Sequence, residues 1–225
     1  MELSKEQLLQ IDNYIFVCGV KYHDVRAEIV DHFANILEQK LDENPDLNFK
    51  KEIENSHRNF SDRGFSKLLE EKTKSVTKMF YKQSLKHLIT FFKIPKIIII
   101  GGLFFALFQV MNLFEDKKTF FYILTGLGFV LMLLIFIKIS MNKKLRKELF
   151  LKLDMNAAFL ATFSFMVICF NSITNFRSSE RFLNVNYNSV QLTIFVLLVL
   201  FYWSANYVYY QNKKLVKEQY PNILV

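Results

Sequence analysis

Four long stretches of this sequence contain almost no charged residues. They lie at 94–114, 119–139, 155–175 and 189–210, and each is 21 or 22 residues long. An α-helix rises about 1.5 Å per residue, so each stretch would measure roughly 32 Å, enough to cross the hydrocarbon core of a bilayer. The pattern therefore predicts four transmembrane helices, within a membrane domain that occupies residues 94–225.

The beginning of the chain has a different pattern, in which apolar residues recur at helical spacing among polar ones. Ser4 and Gln7 match the capping box that opens a helix, and Gly19 is a natural stop. The predicted apolar face of this first helix consists of Leu8, Ile11 and Ile15.

Two more helices are predicted from their caps and from apolar residues three and four positions apart. Asp24 is the predicted N-cap of the second helix, and Asn44-Pro45 ends it because the residue before proline avoids helical geometry. Asn48 is the predicted N-cap of the third helix, and Gly64 ends it. The predicted inner faces are Val25, Ile29, Phe33, Ile36 and Lys40 in the second helix, and Phe49, Ile53, His57 and Phe60 in the third.

These patterns together predict an all-α protein, with a small helical domain followed by a four-helix transmembrane bundle. Residues 1–66 carry thirteen acidic and eight basic side chains, a net charge of −5, and form the predicted acidic domain. Residues 67–93 form a predicted basic connecting helix that begins near Ser66. The basic character of the chain thus comes from lysines that flank apolar stretches, which argues against direct nucleic-acid binding.

The distribution of Lys and Arg predicts the orientation of the spans. The segments 67–96, 138–152 and 212–217 hold seventeen of them, whereas the alternate loops 115–118 and 176–187 hold four. By the positive-inside rule both termini are expected in the cytosol. The composition, rich in Lys, Asn, Ile and Phe, suggests an AT-rich bacterial genome, so the expected location is the inner membrane of a bacterium. Within segment 142–154, Leu145, Leu149 and Leu153 share one helical face, which predicts a helix lying along the inner membrane surface.

The candidate functional residues of the acidic domain are Glu28, Asp31 and His32. They lie on adjacent turns of the second helix, where they could form a protein-docking patch, a metal site or simply a solvated polar face. The solvated face is the most ordinary of these interpretations. A zinc site is disfavoured because the HExxH signature is absent and the four histidines have no ligand spacing.

Neither a catalytic nor a cofactor-binding constellation is predicted. Cys18 precedes Gly19 at a helix end, where the negative end of the helix dipole discourages a thiolate. Gly101-Gly102, Gly126 and Gly128 lie inside spans, where they are expected to be helix-packing points rather than phosphate-binding loops. The chain is therefore not expected to be an enzyme.

The polar residues inside the spans are mostly amides. We expect them to form hydrogen bonds between helices: Gln109, Asn112, Asn156, Asn171, Gln191 and Asn206. No ionisable residue is expected at mid-depth, since Lys138 lies at the end of a span and can extend toward water. This weakens an interpretation as an ion-coupled transporter.

Residues 1–66 carry a longer pattern that resembles a known domain family. The pattern is Leu8, Ile11 and Tyr14, then Tyr22-His-Asp24-Val-Arg-Ala-Glu28-Ile-Val-Asp31-His32-Phe33 and Leu37-Glu38, and then Phe49, Phe60 and Gly64-Phe65. It resembles the HAAS-type helical signalling domain at the N-terminus of bacterial membrane proteins. The resemblance implies a regulatory role, a link to a PadR-like transcriptional regulator, and no catalytic residues.

The expected function is therefore that of a membrane-anchored signalling protein whose cytosolic domain binds a protein partner. The protein is also expected to contact the lipid bilayer through its four spans. Two alternatives belong to other classes: a small transporter or transport-accessory subunit, and an enzyme acting on lipid. The lipid enzyme has little to support it, because Glu148 and Asp154 are the only acids in the 142–154 loop and no histidine follows His87.

Overall fold

The structure is all-α, as the sequence predicts. The computed structural model describes residues 2–60, 64–145 and 148–221, and their side chains other than those of 59–60 and 142–145. A short 3-10 helix at Ser179–Leu183 lies between the last two α-helices. The α-helices are α1 (Lys5–Val17), α2 (His23–Glu43), α3 (Phe49–Phe60), α4 (Phe65–Thr90), α5 (Lys96–Leu113), α6 (Lys117–Leu145), α7 (Leu151–Phe176) and α8 (Val185–Gln219).

Helices α5 to α8 are each long and apolar enough to cross a membrane. They coincide with the four predicted stretches, so the chain is a multi-pass membrane protein. Helices α6 and α8 are longer than predicted, because each continues into a polar, lysine-containing segment after its apolar part. The high helix propensity of lysine explains this extension, because these polar segments can stay helical outside the bilayer.

The chain folds into two compact units. The N-terminal unit contains residues 2–60, 64–78 and 148–153, and the C-terminal unit contains residues 79–145 and 154–221. The N-terminal unit thus includes a short segment that follows α6 in the sequence. Helices α4 and α7 each contribute residues to both units.

Most predicted helix ends of the N-terminal unit are confirmed. Ser4 and Gln7 form a reciprocal capping box at the start of α1, and Gly19 follows its end with a φ of +100°, a conformation that glycine adopts without strain. The side chain of Asn48 accepts a hydrogen bond from the Lys51 backbone N–H, as an N-cap does. Asn44 ends α2, immediately before Pro45.

The predicted role of Asp24 as the cap of α2 is wrong. Helix α2 begins at His23, and its N-cap residue Tyr22 makes no side-chain cap. The Asp24 carboxylate instead accepts hydrogen bonds from the backbone N–H groups of Leu151 and Lys152, at 2.9 and 3.3 Å. These are free donors of the first turn of α7, so Asp24 caps a different helix.

The core of the N-terminal unit lies between α1, α2 and α3. Phe33 is fully buried and forms an edge-to-face contact with Phe65, with ring centroids 5.3 Å apart. Ile36 was predicted to be buried but is only half-buried, because Leu37 takes the inward position. The side chain of Phe60 lies outside the described part. The other buried apolar residues of α1–α3 are Ile11, Ile15, Val25, Ile29, Ala34, Leu41 and Ile53.

The segment 148–153 completes this core, and the predicted surface helix over 142–154 is wrong. Helix α6 continues to Leu145, Leu149 forms a parallel bridge with Tyr22, and α7 begins at Leu151. The Leu149 carbonyl accepts a hydrogen bond of 2.7 Å from the His23 backbone N–H. The apolar residues of the segment are buried inside the protein: Phe150, Leu151 and Leu153.

The C-terminal unit has its own apolar core, to which α5–α8 and the 3-10 helix contribute. Phe121 and Leu192 are fully buried at its centre. The remaining buried members are Met111, Phe120, Leu124, Phe170, Phe182 and Phe195. Helix α5 is the least covered of the four, since Ile98, Ile99 and Phe105 are each more than 60% exposed.

The glycine prediction is confirmed at one position only. A Cβ atom at Gly128 would lie 3.2 Å from a methyl group of Val167, so α6 and α7 approach closely there. At Gly101, Gly102 and Gly126 the same test finds open space, so these three do not pack against another described helix.

Two of the polar residues inside the spans make the predicted contacts between helices. Gln191 donates to Thr174 across 2.7 Å, and Asn206 accepts from the Lys138 ammonium across 2.8 Å. Lys138 also lies 3.9 Å from the centre of the buried Tyr209 ring. It is therefore held within the helix bundle instead of extending toward water.

Candidate functional site

The three residues singled out by the sequence line one cleft of the N-terminal unit. Glu28, Asp31 and His32 are exposed on α2, beside the side that carries Ile29 and Phe33 into the core. The first turns of α4 form the other wall. The cleft has a volume of about 430 Å³, and its remaining lining residues are Ile29, Asn35, Leu68 and Lys72.

Glu28 forms an ion pair across this cleft. Its carboxylate accepts a hydrogen bond of 2.5 Å from the Lys72 ammonium of α4. Both side chains are well exposed, at 57% for Glu28 and 37% for Lys72, so the pair contributes little to stability, on the order of 0–1 kcal/mol. A charged partner could replace either member at low cost.

Lys72 is the charged cleft residue that sequence reasoning missed. A signal for it existed in the charge pattern, because an acidic α2 precedes a basic α4 in the same small domain. Spacing along one helix cannot reveal such a contact, since the two residues are 44 positions apart.

The neighbouring residues of the same motif have a structural role. Arg26 is buried at 4% exposure and donates to Asp12 at 2.6 Å and to Glu148 at 3.3 Å. With the Asp24 cap, these bonds join α2 to α1 and to the segment 148–153. The motif therefore has two faces: Asp24 and Arg26 stabilise the fold, whereas Asp31 and His32 stay exposed.

A cysteine, a histidine and a tyrosine meet elsewhere in the N-terminal unit. The Cys18 sulfur lies 3.9 Å from His57 Nδ1, which shares a hydrogen bond of 2.9 Å with the Tyr14 hydroxyl. Burial raises the pKa of the Cys18 thiol and lowers the pKa of the His57 imidazole. Both directions favour the neutral pair, whereas a nucleophilic cysteine needs a thiolate.

His57 is instead a half-buried side chain that packs against an aromatic ring. Its ring stacks on Phe65 with centroids 4.2 Å apart. Gly64 has a φ of +54°, and a Cβ atom there would lie only 2.7 Å from His57 Nε2. The glycine is therefore required both by its backbone conformation and by the close approach of this ring.

A buried arginine organises one end of the C-terminal unit. Arg177 follows α7 directly and is 9% exposed. Its guanidinium donates to Gln191, and across 2.7 Å both to the Asn188 side chain and to the Arg181 carbonyl. The Phe182 ring lies 4.0 Å from its central carbon.

These partners of Arg177 are neutral, and no salt bridge involving Arg177 occurs in the described part of the chain. They engage both terminal nitrogens of the guanidinium, so the cluster fixes the turn between α7 and α8, whereas Nε is buried without a hydrogen-bond partner among the described residues. From the sequence, Arg177 counted only toward the orientation of the spans.

Within residues 2–60, 64–145 and 148–221, no group of three or more His, Cys, Asp or Glu side chains could hold a metal ion. Comparison of the chain with protein-family models, with curated proteins and with solved structures found no match.

Proposed function

We propose that this chain is a membrane-anchored regulatory protein whose N-terminal unit binds another protein through the cleft between α2 and α4. The observation that carries the proposal is the division of the α2 motif. Asp24 and Arg26 are used internally, while Glu28, Asp31 and His32 line an open cleft with Leu68 at its wall. Exposed charges around an apolar residue are typical of a polar, transient interface.

The likeness of residues 1–66 to HAAS-type domains supports the same proposal. Glu28, Asp31 and His32 are the residues that match the most recognisable motif of that family. The proposed partner is a cytosolic protein linked to a PadR-like regulator, and the membrane unit acts as anchor or sensor. Direct binding of nucleic acid forms no part of this proposal.

The proposal requires the N-terminal unit to face the cytosol of a bacterium. The excess of Lys and Arg in the segments 67–96, 138–152 and 212–217 supports that orientation, with four spans and both termini inside. Four of these side chains, those of Lys143, Lys144, Arg146 and Lys147, lie outside the described part.

This orientation predicts the behaviour of topology reporters. A reporter active only in the cytosol should work when fused after Val225 and fail when fused near Asn184. A reporter active only outside the cytosol should give the reverse pattern. Replacing Lys143, Lys144, Arg146 and Lys147 together with Gln should raise the misoriented fraction, because these residues carry most of the retention signal of their loop. Activity of the cytosolic reporter at Asn184 would overturn the topology.

The docking proposal predicts that charge reversal in the cleft removes a partner. In Glu28→Lys/Asp31→Lys, capture of the cytosolic partner should be lost, since like charges across an interface are costly and slow the encounter. Folding should be almost unaffected, because exposed substitutions change stability by only about 0.5 kcal/mol. Asp31→Lys alone leaves the Glu28–Lys72 pair in place and should already weaken capture.

The measurement is photo-cross-linking in native membranes, with a cross-linking residue at position 35 and helicity checked in parallel. The matched control is Glu43→Lys/Glu54→Lys, which makes the same change of charge at two exposed acids outside the cleft. The same cross-linked partners from the cleft variant and from wild type would contradict docking. The cleft would then be a solvated surface of a domain with another role.

A transporter or transport-accessory role is the weaker alternative. Lys138 is engaged by Asn206 and Tyr209 near the end of α6, and Arg177 by Gln191 and Asn188 just beyond α7. Fixed contacts at the ends of spans indicate that these cations stabilise the fold. An ion pathway would instead need charged groups near the middle of the bilayer.

A further inference from the structure

A second cavity lies in the C-terminal unit, between the end of α4 and the last third of α8. Its volume is about 360 Å³, within the range of roughly 300–1,000 Å³ that is usual for small-ligand sites. The residues that define its chemistry are Gln83, Lys86, His87, Tyr207, Gln211 and Asn212. Lys86 carries an ammonium group, His87 an imidazole and Tyr207 a phenol, and the other three carry amides. None of the residues described as lining the cavity is acidic.

One lining residue indicates that the cavity is built to hold a polar ligand. Asn212 is only 5% exposed, yet its side chain makes no hydrogen bond to any described residue. The amide is not among the fully enclosed polar groups that lack a partner, so it reaches the accessible surface of the cavity, where water or a ligand can form the missing hydrogen bonds. The amide of Asn212 lines the cavity and can donate to a ligand there.

The charge in and beside the cavity favours an anion. Lys86 is exposed on the lining of the cavity. Lys96 lies at its edge, since its ammonium is 3.4 Å from the hydroxyl of the lining residue Thr90. Burial, with a smaller contribution from Lys96, lowers the pKa of His87, so this ring is a neutral hydrogen-bonding group near pH 7 and the two lysines supply the charge.

His87 is also held rigidly. Its ring stacks on Tyr207 with centroids 4.0 Å apart and an interplanar angle of 9°, and Nδ1 lies 3.3 Å from the hydroxyl of the buried Ser204. These contacts fix one wall of the cavity before any ligand arrives, which reduces the entropy lost on binding.

The position of the cavity along the helices places it at the edge of the apolar spans. On α8 it follows Trp203 and lies where the apolar part gives way to Gln211 and Asn212. On α4 it precedes the start of α5 by a few residues. The exposed apolar side chains of this region are Ile89, Phe92, Ile94 and Leu215, and aromatic residues such as Trp203 favour the membrane interface.

We infer that this cavity binds the headgroup of an anionic phospholipid. The phosphate is recognised by Lys86, Lys96 and the amide of Asn212, and the acyl chains lie against the exposed Ile89 and Phe92, on the side of the cavity that leads into the spans. A zwitterionic lipid of the same chain length carries an ammonium group that the two lysines repel. Basic pockets beside transmembrane helices are a known mode of recognition for such headgroups.

The test is native mass spectrometry of the full chain released from detergent micelles, with phosphatidylglycerol or phosphatidylcholine of equal chain length added. We expect wild type to retain phosphatidylglycerol with at least tenfold higher affinity than phosphatidylcholine. Lys86→Glu should abolish this preference. The variant should fold like wild type because the side chain of Lys86 is exposed. Asn212→Leu should weaken retention of phosphatidylglycerol about tenfold while leaving phosphatidylcholine unchanged.

The matched control is Lys82→Glu, which makes the same change of charge one turn earlier on α4, at an exposed lysine that does not line the cavity. It should change the preference less than twofold. A separate arm adds inorganic phosphate at millimolar concentration. Displacement of the lipid by free phosphate at that level would assign the cavity to a soluble anion and overturn the lipid assignment. Equal retention of the two lipids, or an equal effect of Lys82→Glu and Lys86→Glu, would also overturn it.

Discussion

Phe33→Ala is expected to destabilise the N-terminal unit by about 3–5 kcal/mol. The ring is fully buried and contacts Phe65 edge-to-face, so its removal leaves a cavity in the middle of the unit. Small domains are stable by only about 5–15 kcal/mol in total. A loss of this size unfolds a large fraction of the unit under mild conditions.

Pulse proteolysis of the full chain in native membranes, across a urea gradient, measures this effect through cleavage within residues 2–78. Ile36→Ala is the control, because Ile36 lies on the same helix but is only half-buried, and it should cost clearly less. If Phe33→Ala leaves the urea midpoint unchanged, the buried position of this ring in the unit is contradicted.

The elements of this fold were predictable wherever their signals are local. The capping box of Ser4 and Gln7, the stop at Gly19 and the Asn48 cap each act within a few residues, and each is confirmed. The four spans were predictable because the bilayer requires about 20 consecutive apolar residues, a condition that the sequence displays directly.

The contacts between distant segments were not predictable from these patterns. Asp24 looks like an N-cap because any helix N-terminus attracts a carboxylate, but the sequence does not say which helix that is. In the structure the Asp24 carboxylate caps α7, whose first residue, Leu151, lies 127 residues further along the chain. For the same reason, the apolar face of segment 142–154 suggested a membrane surface, whereas residues 149–153 pack inside the N-terminal unit.

The candidate site shows the same limit. The helical period of α2 placed Glu28, Asp31 and His32 on its polar side, and the structure has all three on one cleft. The opposite wall, with Leu68 and Lys72, belongs to another helix, and no spacing rule connects the two. The burial of Arg177 could not be predicted, because a single arginine in a loop is ordinarily exposed to solvent.

The segment 148–153 leads to the second large expected effect, that of Phe150→Ala. Phe150 is fully buried and contacts His23 edge-to-face, with ring centroids 5.5 Å apart. Although it lies more than 100 residues after α2, its truncation should destabilise the N-terminal unit by about 3–5 kcal/mol, as Phe33→Ala does. The urea midpoint for cleavage within residues 2–78 should fall by a similar amount in both variants.

Phe165→Ala is the control for Phe150→Ala, because that ring lies on α7 outside the N-terminal unit and is 68% exposed. It should leave the midpoint unchanged. No shift for Phe150→Ala would mean that the segment is not part of this core. A shift also bears on isolated fragments, because residues 1–66 alone lack Phe150, Leu151 and Leu153. Each such side chain contributes about 1.5–3 kcal/mol when fully buried, so the fragment should be far less stable than the same residues in the full chain.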